Sequence, residues 1–133
     1  MFIQKISEEI WGGESGKYRL RDSDGNDVEK TPEDTCRRVA SGLAKIENEE
    51  LREDFESSFY NLLSSGKFAG GGRIMANIGT EKYKKEVSPI NCTVIRQIPD
   101  SMSGIMDTLK DSSLALKAGC GVGYDFSTIR PKG

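Results

Sequence analysis

The sequence predicts an α/β fold that is α+β over the length at hand. A helical N-terminal region covers 1–66, and the start of an α/β domain covers 67–133. Three observations predict it. Apolar residues recur at helical spacing behind a capping signal at Thr31. Cys92 to Ile98 is β-rich with partial alternation. That run is followed by a helical pattern and a glycine loop, the order of a βα unit. About one strand and one helix of the sheet are expected here, so the second domain reads as incomplete.

Composition narrows the function classes. A chain of 133 residues supports one modest domain. With 35% hydrophobic and 30% charged residues, its core is thin or is completed by something else. The net charge of −2 gives little electrostatic support to nucleic-acid or anionic-membrane binding. No run approaches the roughly 18 apolar residues of a spanning helix. The N-terminal MFIQKISEEIWGG lacks the basic start and apolar core of a signal peptide, so a cytoplasmic location is expected. The three cysteines, at 36, 92 and 120, form no CxxC, and there is no histidine. A zinc site would need all three thiols plus a carboxylate, so no metal site is expected. Ser-His and Cys-His nucleophiles are excluded. Chemistry here would use a thiol, a carboxylate or a borrowed group.

Each element follows from its residues. Ile3, Ile6, Ile10 and Trp11 fit a short amphipathic helix or docking arm over 1–11. Ser23–Asp24–Gly25–Asn26 signals a turn, in a small hairpin or an exposed loop. Thr31–Pro32–Glu33–Asp34 starts a helix: Thr31 caps, Pro32 has no N–H to lose, and the acids complement the dipole. Cys36, Val39, Ala40, Leu43 and Ala44 form its apolar stripe, with Cys36 read as a small core residue. Leu51, Phe55, Phe59, Leu62 and Leu63 mark a second helix that Gly66 ends and that can pair with the first. Glu47, Glu49, Glu50, Arg52 and Glu53 read as a solvated face, and Glu81 to Glu86 as an exposed loop. Pro99–Asp100–Ser101 opens a helix carrying Met102, Ile105, Met106, Leu109 and Leu116.

Chemistry concentrates between Gly70 and Gly133. Gly70–Gly71–Gly72–Arg73 reads as a loop of bare backbone plus a cation, able to cradle phosphate; an ordinary turn is an equal alternative. Gly121 and Gly123 make half of a GxGxxG pattern after a helix, so a helix C-cap and tight turn is the commoner explanation. Cys92 sits at a strand start behind Ser88–Pro89–Ile90–Asn91, where a structural cysteine is slightly the commoner case and a reactive thiol the alternative. Asn91 beside it can donate or accept a hydrogen bond to a ligand. Cys120, between glycines, reads as structural.

Longer motifs carry a resemblance. GGRIMANIGT (71–80), SPINCTV (88–94), IPDSMSGIMDTL (98–109) and KAGCGVGYDFSTIRPKG (117–133) resemble the N-terminal part of the catalytic chain of ribonucleotide reductase, in its adenosylcobalamin-dependent class II form. ISEEIW, KYR, TPEDTCRRVA and FYNLL…GKF resemble its helical lead-in, so nearly the whole chain is covered.

The resemblance implies a helical region leading into a ten-stranded α/β barrel. It implies reduction of the ribose 2′-OH of ribonucleoside di- or triphosphates by a thiyl-radical mechanism, with adenosylcobalamin as cofactor at a site outside this chain. It makes Cys92 the first member of the redox-active disulfide pair, and Gly72, Arg73, Asn91, Cys92 and Gly121 substrate-binding. It places Asp100, Ser101, Met102 and Arg130 at the deoxynucleotide effector site. No redox role carries over to Cys120. The implied partners are a ribonucleotide substrate, a deoxynucleotide effector, a thioredoxin-like reductant and a second polypeptide with the rest of the barrel. The radical cysteine, the second disulfide cysteine and the shuttle cysteines lie downstream in that family. This stretch alone is therefore expected to be inactive, working with the remainder in trans or by splicing. The alternative is a non-catalytic nucleotide-binding or interaction module derived from the same family.

Overall fold

The computed structural model describes residues 11–13, 16–85 and 87–132. The expected helix over 1–11 lies outside these residues apart from Trp11. Two compact units are present, Met1–Lys85 and Glu86–Gly133. Residues 67–85, assigned by sequence to the barrel start, belong to the first unit.

Helix α1, Pro32–Ala44, begins where local chemistry says it should. The Thr31 hydroxyl accepts from the Asp34 N–H, and the Asp34 carboxylate accepts from the Thr31 N–H at 2.9 Å, a reciprocal capping box. The Lys30 N–H, donating to the same carboxylate, is the main cause holding the Asp34 carboxyl below its ordinary range. Cys36, Val39 and Ala40 on α1 are buried with Leu63, against Leu43, Phe59, Tyr60, Ile74 and Met75. Burial, with Glu33 nearby, pushes the Cys36 thiol up.

A 3₁₀ turn, Glu49–Leu51, leads into α2, Arg52–Ser64, which packs on α1. Gly66 follows at φ 70°, the left-handed residue that closes a helix. The expected apolar face of α2 divides: Leu63 is buried, while Leu51, Phe55 and Leu62 stay exposed.

One buried polar network ties this unit together. The Arg38 guanidinium pairs with Glu29 at 2.6 Å, and both side chains are under a tenth exposed. Glu29 also accepts from the Thr35 hydroxyl at 2.6 Å and the Leu20 N–H at 2.9 Å. The indole N–H of Trp11 donates to Thr35 at 2.8 Å. The Glu29 arm returns antiparallel to Leu20 through a turn at Gly25, φ 84°, as the hairpin reading anticipated.

The glycine run is helical sooner than expected. Gly71 caps α3, Gly72–Asn77, so Gly72 and Arg73 form its first turn rather than an open loop. The other end of α3 is saturated with donors. Arg38 donates to the carbonyls of Met75 and Ile78, Lys84 to Ala76, and the Thr80 hydroxyl to Asn77. Burial, with Arg38 nearby, lowers the Lys84 ammonium below the usual lysine range, so this residue is not simply part of an exposed loop.

The second unit is a parallel βαβ: β1, Cys92–Val94; α4, Met102–Lys117; β2, Gly121–Gly123. The strands pair Cys92 with Gly121 and Val94 with Gly123. Two expectations are corrected here. The strand expected to reach Ile98 ends at Val94, because its partner is three residues long. The loop expected at 118–123 contains that partner strand, after Gly119 turns the chain at φ 80°. The buried residues of α4 are Gly104, Thr108 and Ser112, whose hydroxyls donate to Gly104 O and Thr108 O. Met102, Met106, Leu109 and Leu116 are exposed.

Candidate active site

Cys92 stands first on β1 and is exposed, unlike Cys36 and Cys120. Alternation places Cys92 and Val94 on one face of the sheet and Thr93 on the other. Opposite Cys92, the Gly121 N–H donates to the Asn91 carbonyl at 2.9 Å. A Cβ on Gly121 would lie 3.2 Å from the Cys92 sulfur and 3.5 Å from the Asn91 oxygen. Asn91, Cys92 and Gly121, singled out in sequence, thus meet at one point. Cys120, one residue earlier on the opposite parity, is 6% exposed, so its thiol is sequestered as the sequence suggested.

Such a site can present an open thiol beside backbone that carries no side chain. A thiolate there can exchange with an incoming disulfide, because both its approach and its leaving path are clear. Among the described residues, no group of three or more His, Cys, Asp or Glu side chains is placed to hold a metal ion.

A second cluster forms at the start of α4. Ser101 caps the helix, its hydroxyl accepting from the Gly104 N–H at 3.1 Å. Arg130 donates to the Asp100 carboxylate at 2.8 Å and to the Asp100 carbonyl at 3.3 Å. Thr128 donates to the Ile98 carbonyl at 2.7 Å, which folds the 124–130 segment back onto the strand exit. Met102 projects outward, 71% exposed. Asp100, Ser101, Met102 and Arg130 therefore share one surface, with an ion pair and a helix N-terminus on it. Gly72 and Arg73 lie in the other unit, at the start of α3.

Sequence reasoning missed β2. The signal was available as the alternation Cys120, Gly121, Val122, Gly123, which places Cys120 and Val122 on one face and the two glycines on the other.

Comparison with known proteins agrees with this architecture. Residues 15–83 match the family described as "Ribonucleotide reductase, all-alpha domain", and residues 90–133 match "Ribonucleotide reductase, barrel domain". The chain is 32% identical over 117 residues to the ribonucleoside-diphosphate reductase subunit alpha of Helicobacter pylori, covering 88% of this chain and 14% of that protein. It is 32% identical over 108 residues to the ribonucleoside-diphosphate reductase large subunit of vaccinia virus, covering 81% and 13%. It is 32% identical over 116 residues to the ribonucleoside-diphosphate reductase large chain of Schizosaccharomyces pombe, covering 87% and 13%. The chain thus spans 13–14% of the length of these relatives.

These relatives correct the cofactor expectation. They are class I-type alpha subunits from a bacterium, a virus and a eukaryote, not adenosylcobalamin-dependent enzymes, so adenosylcobalamin is withdrawn. The motifs quoted for class II are shared more widely than that class. With a helical unit over the all-alpha match and a parallel βαβ over the barrel match, the chain belongs to the ribonucleotide reductase large-subunit family.

Proposed function

We propose that the chain serves as the N-terminal part of a ribonucleotide reductase large subunit, an oxidoreductase that converts ribonucleoside diphosphates to deoxyribonucleotides. The rest of the barrel is supplied by further polypeptide, in cis or as a separate chain. The reaction is placed in the cytoplasm. In this reading Cys92 is one of two thiols that become a disulfide. The pair gives up two electrons and two protons, the 2′-OH leaves as water, and a C–H bond replaces the C–O bond. A thiyl radical held elsewhere in the barrel initiates the step, and a thioredoxin-like reductant resets the disulfide. Gly72, Arg73, Asn91 and Gly121 contact substrate. Asp100, Ser101, Met102 and Arg130 bind a deoxynucleotide effector.

The observation that carries this reading is the exposed Cys92 thiol lying against the bare backbone of Gly121. A redox thiol must be reachable by both substrate and a partner thiol, and a glycine lets a ligand approach the strand. Diphosphate is the substrate class because the relatives' names specify it. The test is Cys92→Ser in the assembled reductase. Turnover with a dithiol-protein reductant should disappear while assembly persists; sustained turnover would remove Cys92 from the mechanism.

A further inference from the structure

We propose that Lys84 is an acyl-acceptor site: its Nζ takes an acyl group from an activated donor, a thioester or an acyl phosphate, and holds it as an amide. The site lies in the helical unit at the C-terminal end of α3 and does not depend on the reductase reading above.

The argument starts from where this amine is held. Among the described residues, Lys84 is half-buried and every other lysine is exposed. A turn fixes its backbone, the Lys84 N–H donating to the Thr80 carbonyl at 2.8 Å. Its Nζ donates to the Ala76 carbonyl at 3.0 Å. Four successive carbonyls at this helix end take side-chain donors: Met75 and Ile78 from Arg38, Ala76 from Lys84, and Asn77 from Thr80. Two of the three donors are cations, and only one of them has a counter-charge. Glu29 pairs with Arg38 at 2.6 Å. No carboxylate of the described residues forms an ion pair with Lys84. Burial disfavours its ammonium most, Arg38 on α1 adds to that, and Glu29 opposes them more weakly.

An acyl group answers this conflict. An amide at Nζ keeps one N–H, enough for the bond to the Ala76 carbonyl, and removes the charge that burial and Arg38 disfavour. The chemistry is an acyl transfer. The ammonium gives a proton to water, and the neutral amine attacks the acyl carbon. A C–N bond forms, the C–S or C–O bond of the donor breaks, and the thiolate or phosphate leaves with the electron pair. The second amine proton also goes to water.

The test exposes the full chain to acetyl phosphate at neutral pH and reads initial acetylation rates by peptide mass spectrometry. Lys82 and Lys85, exposed on the same segment, are the internal references. Lys84 should react at least about fivefold faster than either, because more of it is neutral. In denaturing urea the three rates should converge to within about twofold, because the preference comes from the fold. A Lys84 rate at or below its neighbours' in the folded chain, or a preference that survives urea, overturns the proposal. A second measurement does not rely on reactivity. A chain carrying Nε-acetyllysine at position 84 should unfold at a urea midpoint at or above that of the unmodified chain, and Lys84→Met, which has no donor for Ala76, below both. An acetylated chain as weak as Lys84→Met would also overturn it.

Discussion

Replacing Arg38 with methionine removes a cation that faces Glu29 at 2.6 Å in a site where both side chains are under a tenth exposed. Methionine fills most of the volume but offers no donor. Glu29 keeps the Thr35 hydroxyl and the Leu20 N–H and loses its counter-charge, and the carbonyls of Met75 and Ile78 lose a donor. Breaking a buried pair from one side costs about 3–5 kcal/mol. A unit of 85 residues has a total stability of about 4–13 kcal/mol, so the loss is a large share of it. With a urea slope near 1.5 kcal/mol per molar, the midpoint should fall by about 2–3 M. Trp11 is the sole tryptophan and is bonded into the same network, so its fluorescence reports the transition directly. Arg38→Lys keeps the charge but not the fork that serves Glu29 and three carbonyls, of Tyr18, Met75 and Ile78, at once, and should fall between wild type and Arg38→Met. A loss under about 1 kcal/mol for Arg38→Met, or a lysine variant as stable as wild type, would refute the view that this network holds the helical unit.

Two further outcomes follow from local geometry. Gly104→Ala should cost about 1–3 kcal/mol in urea unfolding of the full chain, because its Cβ would sit 2.5 Å from the Pro99 Cβ where the chain enters α4; an unchanged midpoint would show that the entry is loose. Asp34→Asn should destabilise at neutral pH, and its deficit against wild type should shrink in acid. The Asp34 carboxyl is held below 3.8, so its contribution is complete above the unfolded value and is lost as pH falls through the lower folded one; a deficit constant across that window in thermal melts would contradict the capping box.

The legible parts of the fold were those written within a few residues. Thr31, Pro32 and Asp34 announce the start of α1 because a capping box spans four positions. Gly66 announces the end of α2 for the same reason. The extent of β1 was not legible, because a strand's length is set by its partner, and β2 lies beyond a sixteen-residue helix. The polarity of α4 was misleading. Its apolar residues suggested the buried side, but Gly104, Thr108 and Ser112 are the ones inside, their hydroxyls satisfied by carbonyls of the preceding turn. Arg38 could not be distinguished from a surface arginine in sequence, since its partners lie nine and 20 residues before it and 37 and 40 residues after. At the site, the motifs drew attention to Asn91, Cys92 and Gly121, and the pairing register is what joins them. The cofactor was not legible because the class flavour of shared motifs does not encode it.

The parallel pairing of β1 with β2 also orders events in time. A hairpin can zip from its turn, but Cys92 and Gly121 must close a loop of about 30 residues, at an entropic cost near 3 kcal/mol, before their ladder returns anything. Helix α4 is most of that loop, and once formed it is a rod that converts a diffusive search into a docking step. Until α4 folds back, Cys92 and Asn91 therefore lack the Gly121 backbone that the finished ladder sets beside them.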